Sequence, residues 1–175
     1  YSWEERIDKY LQGYYQAKEI GEEIGIKVLL GLEVTFPDYY NDYLIFGIDE
    51  NFLKNHRYLH KMELEEFYKF KERVDQDILV YQAHPFRDKM TIVDPELLDG
   101  VEVYNGNPRH DSRNDLANLY AKRHHLKKIS GSDFHQVEDL ARGGILLSEN
   151  PDNEQELVQL LIDNNIEELL VEDEN

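Results

Sequence analysis

Four short apolar runs constrain the fold of this 175-residue chain more than any other feature of its sequence. Each run has the length of a β-strand and is too continuously apolar for a sheet with one wet face. They are VLLGLEVTF (residues 28–36), YLIFGI (43–48), ILVYQAH (78–84) and GVEVYN (100–105). Helical patterns alternate with such runs along the chain, which predicts an α/β fold with a mainly parallel sheet. A doubly wound sheet and a barrel both fit this pattern.

The remaining segments predict further helices and strands. The first helix covers residues 2–25, because Ser2 and Glu5 have the spacing of a capping box and Gly25 is a natural helix end. Other predicted elements are helices at about 60–76, 112–125, 137–141 and 152–165, and strands at 127–133 and 143–148. Residues 167–175 fit an edge strand or a frayed tail. No repeat or linker interrupts the chain, so we expect a single domain over residues 1–175.

Charge and composition exclude several classes of function. The chain has 37 acidic and 19 basic residues and a net charge of −18, which disfavours binding to a nucleic-acid backbone. It has no cysteine, and therefore no disulfide, thiolate ligand or cysteine nucleophile. No apolar run has membrane length, and we expect a cytoplasmic protein that does not bind membranes. Its oligomeric state is left open. An anionic substrate would require cations at its site.

Polar side chains lie at or near the carboxyl ends of several predicted strands, where α/β proteins build their active sites. Asp133 and His135, in SGSDFHQ, are two residues apart and would face the same side of an extended segment. Glu33, His84 and Asn105 are in similar positions on other strands. Carboxylates and imidazoles are ligands for divalent metals, and we therefore expect a metal site at this edge.

Each of these residues also has a structural interpretation. Glu33 could face solvent, His84 could cap a helix or lie in the core, and Asp133 could cap the helix after it. Glu102 alternates with apolar neighbours and could be a buried carboxylate with satisfied hydrogen bonds, while Asn105 suits a turn. The remaining histidines lie among charged residues and are predicted to be on the surface: His56, His60, His110, His124 and His125.

Four motifs in order, GLEV, AHPF, VEVYNGN and GSDFH, resemble the PHP family, named for polymerase and histidinol phosphatase. The resemblance runs from about residue 10 to about residue 150. It implies a distorted seven-stranded (β/α)7 barrel with two or three zinc, manganese or iron ions. It also implies metal-dependent hydrolysis of a small phosphorylated substrate.

The family's site residues carry over one by one. Glu33 matches the bridging carboxylate, His84 the histidine of the His-Pro motif, and Asp133 and His135 the final Asp-x-His pair. Asn105 and Glu102 are second-tier candidates: Asn105 lies near a position that is a ligand in some members. Independently of the family, Arg87 and Arg142 flank these motifs and are candidates for binding phosphate, with ordinary surface arginines as the alternative.

The sequence departs from the family at its beginning. Members start with a His-x-His strand and an Asp-His motif, and neither is present here. We therefore expect a barrel incomplete at its N-terminus, with roughly 40–60 further residues, including a His-x-His, in the parent protein. Tyr43 stands near the position where some members have a further histidine. Whether this chain alone is active is left open. The alternatives are a catalytically silent metal-binding or interaction module and an unrelated α/β hydrolytic or sugar-binding protein.

Overall fold

A computed structural model describes residues 1–171 of the chain. The strands are β1 (Leu32–Thr35), β2 (Asp42–Phe46), β3 (Leu79–Gln82), β4 (Gly100–Asn105), β5 (Lys127–Gly131), β6 (Gly143–Leu147) and β7 (Ile166–Val171). The helices are α1 (Trp3–Tyr10), α2 (Gln12–Ile24), α3 (Glu50–Asn55), α4 (Leu64–Lys71), α5 (Asn114–His124) and α6 (Glu154–Ile162). Short 3₁₀ helices cover Leu59–Lys61, Pro95–Leu97 and Val137–Asp139.

The main sheet has five strands in the order β1-β2-β3-β4-β5. Strand β2 is antiparallel to both of its neighbours, whereas β3, β4 and β5 are parallel. Only residues 36–41 connect β1 to β2. A connection this short does not allow a parallel crossover, which needs a dozen or more residues, so the two strands form an antiparallel pair.

Strands β6 and β7 form a separate antiparallel sheet beside β5. The Ser130 hydroxyl joins the two sheets: it donates to the Leu170 carbonyl at 2.6 Å and accepts from the Gly144 amide at 3.1 Å. Gly143 allows the close approach, since a Cβ there would lie 2.3 Å from the Gly131 carbonyl oxygen.

The predicted (β/α)7 barrel is wrong. Residues 1–171 form a mixed five-stranded sheet with a separate two-stranded sheet, and the strands in this part of the chain do not close into a barrel. The sequence pattern revealed where strands lie, but strand direction and closure depend on pairing between distant segments. The α/β composition of the fold is confirmed, with a mixed rather than a mainly parallel sheet.

Several element boundaries also differ from the sequence-based prediction. The first helix divides into α1 and α2 at Leu11, and the apolar run at residues 28–36 is extended strand only over Leu32–Thr35. Helix α3 was not predicted; it is capped by Asp49, whose carboxylate accepts a hydrogen bond from the Phe52 amide at 2.7 Å. Strand β7 confirms the edge-strand alternative for the end of the chain up to Val171, and residues 172–175 lie outside the described part.

Apolar side chains cover both faces of the main sheet. Val80 and Val101 belong to the core formed with α1, α3 and α4, whereas Tyr81 and Ile129 pack with α6 on the other face. Strand β3 is buried on both faces, and all of its residues except Gln82 are apolar or aromatic. Within residues 1–171, no helix combines the length and the apolarity needed to cross a membrane.

The surroundings of Gly47 and Gly13 predict opposite effects of a glycine-to-alanine substitution on stability. Gly47 has φ +89°, and a Cβ there would lie 2.2 Å from the Asp77 carbonyl oxygen, so Gly47→Ala should destabilise the protein by about 1–3 kcal/mol. Gly13, in α2, has open space around it, and Gly13→Ala should be neutral or stabilise by up to about 1 kcal/mol. Urea unfolding of both variants tests this. A Gly47→Ala protein as stable as the parent would contradict the conformation described here.

Candidate metal centre

The sheet topology brings five of the polar residues to one edge. Strands β1, β3, β4 and β5 point their carboxyl ends to that edge, and the antiparallel strand β2 begins there. The edge carries Glu33, Asp42, His84, Asn105 and Asp133. Four of these were predicted as site residues, and Asp42 was not.

Glu33, Asp42 and His84 form a compact group of possible metal ligands. Each offers one ligand atom, and these atoms all lie within 4.8 Å of one another. His84 Nε2 is 3.8 Å from both Glu33 Oε1 and Asp42 Oδ2, which is too long for a hydrogen bond. Ligand atoms that each lie about 2.0–2.2 Å from one ion are about 3–4 Å apart, so the spacing is close to that of a shared cation.

A neighbouring hydroxyl orients one of the three side chains, that of Asp42. The Thr35 hydroxyl, opposite Asp42 in the β1–β2 pair, donates to Asp42 Oδ1 at 2.7 Å and leaves Oδ2 facing His84. The His84 imidazole is 3% exposed, whereas the Asp42 and Glu33 side chains are 29% and 48% exposed. The histidine side of the group is therefore buried, whereas the side formed by the two carboxylates is open to solvent.

The backbone of His84 is in an uncommon conformation. Its φ is +27°, Pro85 follows it, and its amide donates to Glu102 Oε2 at 2.9 Å. Its ring Nδ1 is buried and has no hydrogen-bond partner among the described residues. Outliers of this kind cluster at functional sites, where the surrounding structure maintains them.

The electrostatic environment suits metal binding. Burial raises the pKa of Glu33, and the negative charges of Asp42 and Asp133 raise it further. Burial, together with the positive charge of Arg87, lowers the pKa of His84 and favours the neutral imidazole, which is the form that binds metals.

Asp133 and His135 lie at the same edge but outside the compact group. Burial raises the pKa of Asp133, but the hydrogen bond that it accepts from Arg87 Nη2 at 2.8 Å, the Arg87 charge and the contact with Asn105 together lower it. The His135 ring is 64% exposed, with Nδ1 2.9 Å from the Asp133 carbonyl oxygen. Both residues are near enough to affect the pKa of Glu33: Asp133 raises it, and His135 acts in the opposite direction.

The two arginines predicted to bind phosphate make contacts within the protein. Arg87 is largely buried and donates to Asn105 Oδ1 at 2.9 Å and to Ser112 Oγ at 3.1 Å, besides Asp133. Arg142 donates from Nε to the Gly106 carbonyl at 3.0 Å. A phosphate-binding role for either residue stays a prediction.

The second-tier candidates, Glu102 and Asn105, are both buried. Glu102 is 4% exposed, and burial raises its pKa to about 7 despite the hydrogen bonds it accepts. One of these comes from Asn105 Nδ2 at 3.0 Å, so the two residues contact each other. Metal binding by either residue stays a prediction.

Asp42 is the residue that sequence reasoning missed. It immediately precedes the predicted strand YLIFGI, and it reaches the site edge only because β2 runs antiparallel to its neighbours. Its neighbour Tyr43, which stood near a family histidine position, points to the opposite face. Tyr43 is fully buried, and burial raises its pKa to about 12.

Comparison with known proteins shows a likeness in fold. No family model matches the chain, and no match is found among curated proteins. The chain is similar to the crystal structure of PsfC from Pseudomonas syringae PB-5123, with a TM-score of 0.61 and 15% identity. The match covers 78% of this chain and 57% of that one. At this level of identity, the likeness concerns the fold alone.

Asp139 holds the loop that carries Asp133 and His135. Its side chain has no exposed surface and accepts hydrogen bonds from both Nη atoms of Arg109 at 2.7 Å. It also accepts from the amides of His135 and Gln136 at 2.8 Å. The hydrogen bonds from Arg109 contribute most to holding the pKa of Asp139 well below its usual range.

These contacts predict a pH-dependent effect of Asp139→Asn. The folded-state pKa is depressed, so the stabilisation is fully present above the unfolded pKa of about 3.9 and is lost as the pH falls through the folded value. Asp139→Asn should therefore destabilise the protein at pH 7, and the difference should shrink below about pH 4. Urea midpoints of both proteins between pH 3 and pH 7 measure it. A difference that is constant over this range would contradict the assigned ionisation.

Proposed function

We propose that this chain binds a divalent metal ion, zinc, manganese or iron, and uses it to hydrolyse a small phosphoester. The observation that carries the proposal is the group of Glu33, Asp42 and His84, whose ligand atoms lie within 4.8 Å of one another. These residues come from three neighbouring strand segments, and their types are common ligands of such metals.

The charge balance of the group supports a cation. Within residues 1–171, the ion pairs made by Glu33 and Asp42 are with His84, whose lowered pKa favours the uncharged form. Arg87 acts on Glu33 only at a distance, and neither carboxylate has a direct ion pair with a lysine or arginine among residues 1–171. Two carboxylates in this situation repel each other, and a divalent ion relieves the repulsion.

Phosphoester hydrolysis fits the chemistry of the edge. A bound divalent ion supplies an activated water near neutral pH and attracts phosphate oxygens. The chain has no cysteine nucleophile. Its net charge of −18 would otherwise repel a phosphorylated substrate. The ordered motifs that resemble the PHP family, which include Glu33 and His84, also favour this reaction, although the barrel that the resemblance implied is absent from residues 1–171.

A second ion would involve Asp133 and His135. The Arg87 guanidinium already neutralises Asp133, with Nη2 2.8 Å from Oδ2, so a cation at this position competes with an ion pair. We therefore place the first ion at Glu33, Asp42 and His84, and assign the weaker position to Asp133 and His135.

A catalytically silent metal-binding module is the second candidate function. It is favoured by Arg87, whose guanidinium is bound to Asn105, Ser112 and Asp133 and is only 15% exposed. An arginine held in this way contributes structure to the edge without presenting its donors to a substrate phosphate.

Metal binding is tested by calorimetric titration of the purified chain with Zn²⁺ and with Mn²⁺. His84→Ala and Asp42→Asn should each weaken binding by at least about tenfold, because each removes a ligand atom. His110→Ala is the matched control, since His110 is an exposed histidine outside the group, and it should bind as the parent does. Absence of binding by the parent, or unchanged binding by His84→Ala, would refute the metal centre.

Catalysis is tested by initial rates with a chromogenic phosphomonoester and added Mn²⁺ or Zn²⁺. Activity should disappear with a chelator, and Asp133→Ala should reduce it more than Arg142→Ala, because a metal ligand affects the activated water directly. The rates should be measured alongside the calorimetry. Metal binding without turnover would support the silent module and refute hydrolysis of the ester tested.

A further inference from the structure

Glu102 is a buried carboxylate directly behind the metal-facing side chains. It lies on the central part of β4 and is 4% exposed. Its Oε2 atom accepts two hydrogen bonds, from the His84 amide at 2.9 Å and from Asn105 Nδ2 at 3.0 Å. Burying a carboxylate is costly unless it is hydrogen-bonded, and these two contacts are the hydrogen bonds that reduce the cost at Glu102.

The hydrogen bond between the His84 amide and Glu102 compensates for a missing hydrogen bond at the His84 ring. A histidine ligand is usually oriented by a hydrogen bond from its second ring nitrogen, but Nδ1 of His84 has no such partner among the described residues. The orientation of the ring therefore depends on the backbone of His84, which has φ +27° and whose amide is bound to Glu102.

The contact with Asn105 reaches the other half of the edge. Asn105 Oδ1 accepts from Arg87 Nη2 at 2.9 Å, and the same Nη2 atom donates to Asp133 Oδ2 at 2.8 Å. A continuous chain of hydrogen bonds thus runs from His84 through Glu102, Asn105 and Arg87 to Asp133.

Strand β5 leaves room for the Glu102 carboxylate. A Cβ atom added at Gly131 would lie 2.9 Å from Glu102 Oε1. An alanine at this position would push on the carboxylate without removing it, because φ of Gly131 is not in the positive range and the backbone accepts a side chain.

We propose that Glu102 is a positioning residue for the metal centre: it fixes the backbone of His84 and, through Asn105 and Arg87, the carboxylate of Asp133. In this role Glu102 acts through its neighbours and is not itself a ligand. The inference rests on the proposed metal-binding function. It states that the two hydrogen bonds accepted by Glu102 Oε2 hold His84 and Asp133 in place.

The test compares Glu102→Ala and Glu102→Gln with a matched control, Asp99→Asn. Asp99 precedes β4 and also accepts an amide hydrogen bond from β3, from Val80 at 2.7 Å, but at the end of the strands away from the site. Two measurements are made on each protein: affinity for Mn²⁺ by calorimetry, and the ring signals of His84 by nitrogen–proton NMR of the metal-free protein.

Glu102→Ala should weaken Mn²⁺ binding by about tenfold or more and broaden or multiply the His84 ring signals. Glu102→Gln keeps an oxygen acceptor and should restore both properties to near those of the parent. Asp99→Asn should lose stability, yet keep the Mn²⁺ affinity and a single set of His84 signals. Gly131→Ala should shift both properties in the same direction as Glu102→Ala.

Glu102→Ala with parental affinity and a single set of His84 signals would overturn the inference, as would an equal loss of affinity in Asp99→Asn. If Glu102→Ala does not fold, Gly131→Ala decides, and parental behaviour of that variant overturns the proposal. If the parent binds no Mn²⁺, the proposed function fails separately, and the His84 signals of the metal-free proteins still decide whether Glu102 positions the ring.

Discussion

The insertion of β2, antiparallel, between β1 and β3 is the constraint on which the candidate centre depends. It aligns the first residue of β2 with the carboxyl ends of its neighbours, so that Asp42 meets Glu33 on one side and His84 on the other. The short connection over residues 36–41 enforces this direction. With a parallel β2, Asp42 would lie at the opposite end of the sheet.

The carboxylates at this edge of the sheet are in two different electrostatic environments. The carboxylates of Asp133 and Asp139 are neutralised within the protein by Arg87 and Arg109, and both have lowered pKa values. Glu33 instead has a raised pKa. Arginine pairs thus stabilise the edge at Asp133 and Asp139, whereas Glu33 and Asp42 have no direct ion pair with a lysine or arginine among residues 1–171, which leaves charge that a cation can balance.

The metal hypothesis stands on geometry rather than on the resemblance that first suggested it. The barrel implied by that resemblance is absent from residues 1–171, and the likeness to PsfC at 15% identity concerns the fold alone. The ligand spacing of Glu33, Asp42 and His84 is independent of both. Asp42 came from the geometry alone and has no counterpart in the motifs.

The sequence by itself determined the positions of the buried strands, through continuous apolar runs, and placed Glu33 and His84 at strand ends, because polar residues within such runs are conspicuous. Only the tertiary structure decided the direction of β2, the open sheet, the membership of Asp42 and the pairing of Arg87 with Asp133. Hydrophobic periodicity is a local property of the chain, whereas strand direction and ion pairing depend on contacts between residues that are far apart in sequence.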